Sequence, residues 1–166
     1  TSMEDLLSAM NINRGSLYDT FGDKRQLFLK VMDRYCHGLV GEKFSLLAQP
    51  GPALPALRAF IFGLVDSALA DPQRRGCLIA NTAMELAPHE QDIAKKVALA
   101  LALSEEGFFT VLTRAQAQGE LKPGQDPRVL ARVLTTMMQG TIVMIKAGTP
   151  AEAVRSTAEA TLSMFA

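Results

Sequence analysis

Arg14-Gly15-Ser16, followed by Tyr18 and Asp19, is the run in this 166-residue chain best suited to reading a nucleic acid. An arginine can donate to a guanine edge or a phosphate, a glycine permits close approach, and a small hydroxyl bonds either partner. Tyr18 would bring a phenol to the sugar-phosphate backbone, and Lys24 a cation to a phosphate. Such chemistry needs these residues on the outer face of a short helix with an apolar face beneath. Leu17 and Phe21, one turn apart, supply that face together with Ile12. Ahead of it, Met3, Leu6, Leu7 and Met10 fall on one helical face, which predicts a preceding helix with Ser2 as its N-cap. Asn13 suits the N-cap of the second helix, and Asn11 tolerates the left-handed backbone of a tight turn. Two short helices joined this way form the unit that lays a helix in the major groove. An ordinary helical hairpin with a solvated face has the same pattern.

Charge does not announce a polyanionic partner. The chain carries 17 basic and 17 acidic side chains. In the head, Arg14, Lys24, Arg25, Lys30 and Arg34 are balanced by Glu4, Asp5, Asp19, Asp23 and Asp33. With 48% apolar and 20% charged residues the chain is globular, and its length suits one or two small domains. No apolar run reaches the roughly eighteen residues of a membrane span, and no signal-peptide pattern opens the chain, so a cytoplasmic location is expected. Cys36 and Cys77 fit no metal-ligand spacing, and His37 and His89 stand at no recognisable spacing from a nucleophile. With no phosphate-cradling glycine loop and scattered carboxylates, neither catalysis nor a cofactor nor a metal is expected. A structural disulfide is not expected in that compartment either. The first residue is Thr1, which suggests a chain trimmed at its start.

The other periodic segments also read as helix. Asp23 caps a long linking helix running to about Leu47, with Phe28, Val31, Met32, Tyr35 and Leu39 as its buried stripe. Gln49-Pro50-Gly51-Pro52-Ala53 cannot continue it. The expected boundary therefore separates residues 1–47, the helix-turn-helix unit with its linking helix, from residues 48–166, a larger helical domain. Helices are expected at 55–70, 76–86, 90–118, 127–147 and 150–165. Asp126-Pro127 opens the fourth of these, and a capping box from Thr149 to Glu152 opens the last. No strand alternation appears, so the fold class is all-α.

Residues 1–29, TSMEDLLSAMNINRGSLYDTFGDKRQLFL, resemble the DNA-binding domain of the TetR family of bacterial regulators. The matching positions are Thr1, Ser2, Leu17, Tyr18, Phe21, Lys24 and Leu27, while Asn11 stands where the family usually has glycine. The stretch Arg75 to Leu86 resembles a recurrent segment of one subgroup of that family. The resemblance implies a homodimeric regulator on palindromic double-stranded operator DNA, usually a repressor, released by a small apolar or amphipathic molecule. An activator is the alternative. It further implies a first head helix, often preceded by a basic arm, ahead of Thr1. The DNA-contacting set would be Thr1, Ser2, Arg14, Gly15, Ser16, Tyr18, Asp19 and Lys24.

Two more surfaces are expected in the larger domain. The helix at 127–147 is apolar on more than one side, so Val133, Met137 and Met144 are assigned to a dimer interface with Val154, Ala158, Leu162 and Phe165 of the last helix. The alternative is that both helices pack only into their own core. Phe60, Leu64, Met84, Phe108, Phe109, Leu112, Met137 and Met138 are candidates for an effector pocket, with Asn81, Glu85 and Thr141 as polar anchors. Plain core is the competing reading of each. Cys77, close to Arg74 and Arg75, reads either as a thiol sensor or as a small buried side chain. For the whole chain, the rival from another class is a helical carrier or protein-interaction module that never meets DNA.

Overall fold

In the computed structural model, which describes residues 1–165 apart from the side chains of Leu39 and Val40, side-chain caps set every helix of the head. Ser2 Oγ accepts from the Asp5 amide at 3.1 Å and the Asp5 carboxylate accepts from the Ser2 amide at 2.7 Å, opening α1, Met3–Met10. The bond from the Ser2 amide holds the Asp5 carboxyl below its ordinary pKa. Asn11 takes φ 52, ψ 47 and turns the chain. Asn13 Oδ1 then accepts from the Ser16 amide at 2.8 Å and starts α2, Arg14–Phe21. Asp23 accepts from the Gln26 amide at 2.7 Å and starts α3, Lys24–Arg34.

The linking helix does not run to Leu47 as one α-helix. A π-helical turn at Tyr35–Val40 leads into α4, Gly41–Ser45, and a 3₁₀ turn, Leu46–Ala48. Gly38 and Gly41, weak helix formers, fall where the winding changes. Val31, expected in the buried stripe, is 44% exposed, because the seated face turns toward Leu29, Met32 and Cys36. The side chain of Leu39, the other expected stripe member, lies outside the described residues.

The body comprises α5, Ala53–Leu69; α6, Leu78–Glu85; α7, Gln91–Ala117; α8, Pro127–Lys146; and α9, Ala151–Ser163, and the described residues hold no strand. Pro52 gives α5 no side-chain cap, so Gln118 Oε1 accepts from the Ala53 amide at 3.0 Å and Glu120 Oε2 from the Leu54 amide at 2.6 Å. Asp126 caps α8 by accepting from the Arg128 amide at 2.8 Å, with Pro127 in the first turn. The capping box expected from Thr149 does not form, because Pro150 itself occupies the N-cap at φ −55 and offers no side-chain acceptor. Although α8 has the length and hydropathy of a membrane span, Leu134, Met138 and Ile145 bury one of its faces in the main core.

Two cores result. The larger joins Leu57 and Ile61 of α5, Phe108 and Leu112 of α7, Leu134 of α8, and Ala158 of α9 with Phe165 beyond it. In the second, Met32 and Cys36 of the linking helix meet Ile79 of α6 and Ile93 and Val97 of α7. The linking helix is therefore built into the body, and burial raises the pKa of the Cys36 thiol. Arg25 reinforces the seat by pairing with Glu90 and with Asp92, and Lys96 by pairing with Asp33 at 2.5 Å. Exposed pairs of this kind contribute about 0–1 kcal/mol each.

A backbone contact fixes α4. The Phe44 ring lies against Gly107 of α7, where an added Cβ would stand 2.2 Å from it. Helix propensity alone favours alanine over glycine by about 1 kcal/mol. At Gly63 of α5, which has nothing within 4 Å of an added Cβ, Gly63→Ala is expected to raise the thermal midpoint. Gly107→Ala is expected to lower it, by roughly 1–3 kcal/mol of overpacking, in calorimetric unfolding. Equal gains at both sites would mean that Phe44 is not seated on Gly107.

Candidate functional site

Leu17 of α2 is fully buried, with Ile12 and Phe21 half-buried beside it. That burial turns Arg14, Gly15, Ser16, Tyr18 and Asp19 outward, and Thr1, Ser2 and Lys24 are exposed as well. All eight residues expected to contact DNA thus lie on the surface of the head. Two of these eight are cations with partners inside the head: the Arg14 guanidinium pairs with Glu4 of α1, and the Lys24 ammonium donates to the Thr1 carbonyl.

A cavity of about 560 Å³ lies between α4, α5, the 70–77 loop, α6, α7 and α8. This volume is in the range of about 300–1,000 Å³ that holds small molecules. Its apolar wall is built on Phe44, whose ring stands 5.0 Å from Phe60 and 5.0 Å from Phe108, edge-on to the latter. Tyr35 of the linking helix also lines it, and its hydroxyl donates to Cys77 Sγ at 3.6 Å. Burial, and then the adjacent Cys77 thiol, push the Tyr35 phenol above its ordinary pKa. Gln139 of α8 lines the cavity with a buried Oε1 that has no partner among the described residues. An unmet acceptor of that kind costs about 1–3 kcal/mol.

Of the pocket residues expected from sequence, Phe60, Leu64, Asn81, Phe108 and Met138 line the cavity. The other six do not. Met84 and Glu85 are exposed about one turn beyond Asn81 along α6, past the end of the cavity. Leu112 is a turn beyond Phe108 and fully buried in the main core. Phe109 points to the other side of α7, where the Arg128 guanidinium covers its ring at 3.6 Å. Thr141 is buried and donates to Met137 Sδ at 3.3 Å, both turned away from the cavity-lining face of α8.

Sequence reading missed Lys43, Asp71, Arg74 and Arg75, which also line the cavity. Asp71 organises the loop. Its carboxylate accepts from the Gln73 amide at 3.1 Å, the Arg75 amide at 3.0 Å and Arg75 Nε at 3.1 Å. These bonds, that of the Arg75 side chain foremost, hold the Asp71 carboxyl below its ordinary pKa. Arg74 is held at φ 48, a left-handed conformation costing a non-glycine residue about 1–2 kcal/mol. Asn81 Nδ2 donates to the Arg75 carbonyl at 3.0 Å, and Lys146 Nζ donates to Asn81 Oδ1 at 2.7 Å, fastening the loop to α6 and α8. An aspartate before Pro72 and ahead of paired arginines was the available signal, and it resembled a plain helix stop.

The expected dimer set divides. Val154, Ala158, Leu162 and Phe165 are buried in the chain's own core, between 0% and 9% exposed, and cannot face a partner. The apolar stripe of α9 is needed to close its own domain. Val133 and Met144 are exposed on α8 alongside Val129 and Val143, with Met137 half-buried. Gly140 lies on the same open side with nothing within 4 Å of an added Cβ, and the outward residues of α9 include the small Ala153, Thr157 and Ala160.

Residues 53–161 match the family model described as tetracyclin repressor-like, C-terminal domain. The chain is 41% identical over 137 residues to an uncharacterized HTH-type transcriptional regulator, YezE, of Bacillus subtilis strain 168, covering 81% of this chain and 70% of the relative. It is 27% identical over 166 residues to the HTH-type transcriptional repressor ComR of Escherichia coli strain K12, covering 99% and 79%. Among solved structures, a cysteine mutant of the TetR family transcriptional regulator CifR, complexed with 26-base-pair double-strand operator DNA, matches with a TM-score of 0.84 at 25% identity. That match covers 98% of this chain and 85% of the other.

The loop geometry sets one expectation. Because the folded-state pKa of Asp71 is depressed, its anchoring is complete above the ordinary carboxylate pKa and is lost as pH falls through the depressed value. Asp71→Ala should make the Gln73 and Arg75 amides exchange with deuterium faster at neutral pH, and the same two amides should lose protection in the parent protein on acidification. Unchanged exchange would mean that the carboxylate does not hold the loop.

Proposed function

The chain belongs to the TetR family of transcriptional regulators, and on that premise we propose that it is a homodimeric repressor released from a palindromic operator by a small molecule, acting in the cytoplasm. It is a regulator and not an enzyme. The observation that carries the reading is the outward N-terminal face of α2, where Arg14, Gly15, Ser16 and Tyr18 stand clear of a helix-turn-helix locked by Asn11 and Leu17. In this reading α2 enters the major groove, Arg14 exchanges Glu4 for a base edge or phosphate, and Lys24 exchanges the Thr1 carbonyl for a phosphate.

The second part of the reading rests on the body. The open face of α8, Val129, Val133, Gly140, Val143 and Met144, packs against its copy in a second chain, with the small outer residues of α9 beside it. Pairing through α8 and α9 presents two α2 helices to successive major grooves, about 34–36 Å apart. The effector occupies the cavity between the linking helix and the body. A ligand that prefers one seating of the linking helix shifts the population away from the spacing that fits DNA.

Fluorescence anisotropy on the protein's own promoter region, against random DNA, tests the first part. Salt-sensitive and sequence-selective binding is expected, with Arg14→Ala weakening the specific complex by roughly 1–3 kcal/mol. An equal loss on both DNAs would make Arg14 a phosphate contact, and no sequence preference at any salt concentration would sink the DNA reading. For the second part, Val133→Asp combined with Met144→Asp should give monomers in sedimentation and abolish operator binding. A persisting dimer would place the interface elsewhere.

A further inference from the structure

The cavity has an apolar wall, and cationic side chains also line it. Lys43 of α4 and Arg74 of the 70–77 loop both line it, both are exposed to solvent, and among the described residues neither forms an ion pair with a carboxylate. The acidic lining residue, Asp71, is already engaged by Arg75. Lys146 adds a further positive charge next to the lining residue Asn81. Gln139, another lining residue, has a buried amide oxygen without a partner among the described residues. Unneutralised cations beside a low-dielectric concavity attract anions and give charge-assisted hydrogen bonds to them.

Resting on the reading of this cavity as the effector site, we infer that it takes an amphipathic organic acid. The carboxylate meets Lys43 and Arg74, the apolar body lies among Phe44, Phe60 and Phe108, and a hydroxyl or amide along the body meets Gln139. A neutral or cationic molecule of the same shape gains nothing from the two cations. The placement also bears on regulation. Lys43 belongs to the linking helix and Arg74 to the body, so one carboxylate held by both ties the position of the linking helix to occupancy.

The test is calorimetric titration of the full-length protein with octanoate and phenylbutyrate, each against its matching alcohol, octanol and phenylbutanol. At least one acid should bind roughly tenfold or more tightly than its alcohol, the chain-shaped or the aromatic pair showing which body fits. Lys43→Gln combined with Arg74→Asn should erase that preference while alcohol binding persists; asparagine is chosen because it tolerates the left-handed backbone at 74. Lys43→Arg alone should keep the preference, and circular dichroism checks that each variant folds. Equal binding of acid and alcohol, or a preference surviving in the double variant, overturns the inference. Alcohols binding without the acids would leave an effector cavity with the wrong ligand class. If neither acid nor alcohol binds, the inference fails together with the effector reading of the cavity.

Discussion

The ring of Phe44 rests on the bare backbone of Gly107, and the geometry of the whole linking segment follows from that seat. Its aromatic neighbours Phe60 and Phe108 come from α5 and α7, so one side chain gathers three elements. Eight and twelve residues earlier, Cys36 and Met32 hold the same segment against α6 and the first half of α7. The linking segment is thus gripped twice by the body. Tyr35, at the first grip, and Phe44, at the second, both face the cavity, which is the space left where the segment crosses the body.

Between the two grips lies the π-helical turn, Tyr35–Val40. A π turn carries an extra residue per hydrogen-bonded ring and recurs at functional positions in helices. Here it lets the segment present Met32 and Cys36 to one core and Phe44 to the other, which a uniform winding over the same length would not align. It is also where a shift between the grips costs least, since both glycines of the segment fall in or beside it. The head beyond is tied to α7 by exposed ion pairs from Arg25, weak enough that its position depends chiefly on how the segment is seated. A ligand touching Tyr35, Lys43 and Phe44 would therefore act on the element that aims the head.

Much of this was legible in the chain, because caps and turns are local. Ser2, Asn13, Asp23 and Asp126 each cap the helix that their position suggested, and Asn11 adopts the left-handed turn. Periodicity, by contrast, names a face and not its neighbour. On α9 the apolar stripe from Val154 to Phe165 looked like an interface, yet the chain spends it on its own core, leaving small residues outside. On α6 and α7 the same blindness put Met84, Glu85 and Phe109 in a pocket whose ends only the packing of five elements defines. Lys43 and Arg74 were missed because a surface cation in sequence carries no sign of which concavity it borders.

The neutral composition and the internal partners of the head belong to one argument. Arg14 pairs with Glu4 and Arg25 with Glu90, while Lys24 and Lys30 donate to the Thr1 and Thr20 carbonyls, which leaves their positive charge in place. Non-specific affinity grows with the number of phosphates neutralised, and a guanidinium paired with a carboxylate contributes less to it. Freeing Arg14 from an exposed pair costs about 1 kcal/mol or less, whereas a well-aligned contact to a base edge is worth about 1–3 kcal/mol. The exchange is favourable only where the base geometry is right, and elsewhere the guanidinium does as well on Glu4. Under the proposed reading of α2, this internal ion pair would act as a filter, removing a background of wrong contacts at small expense to the right one.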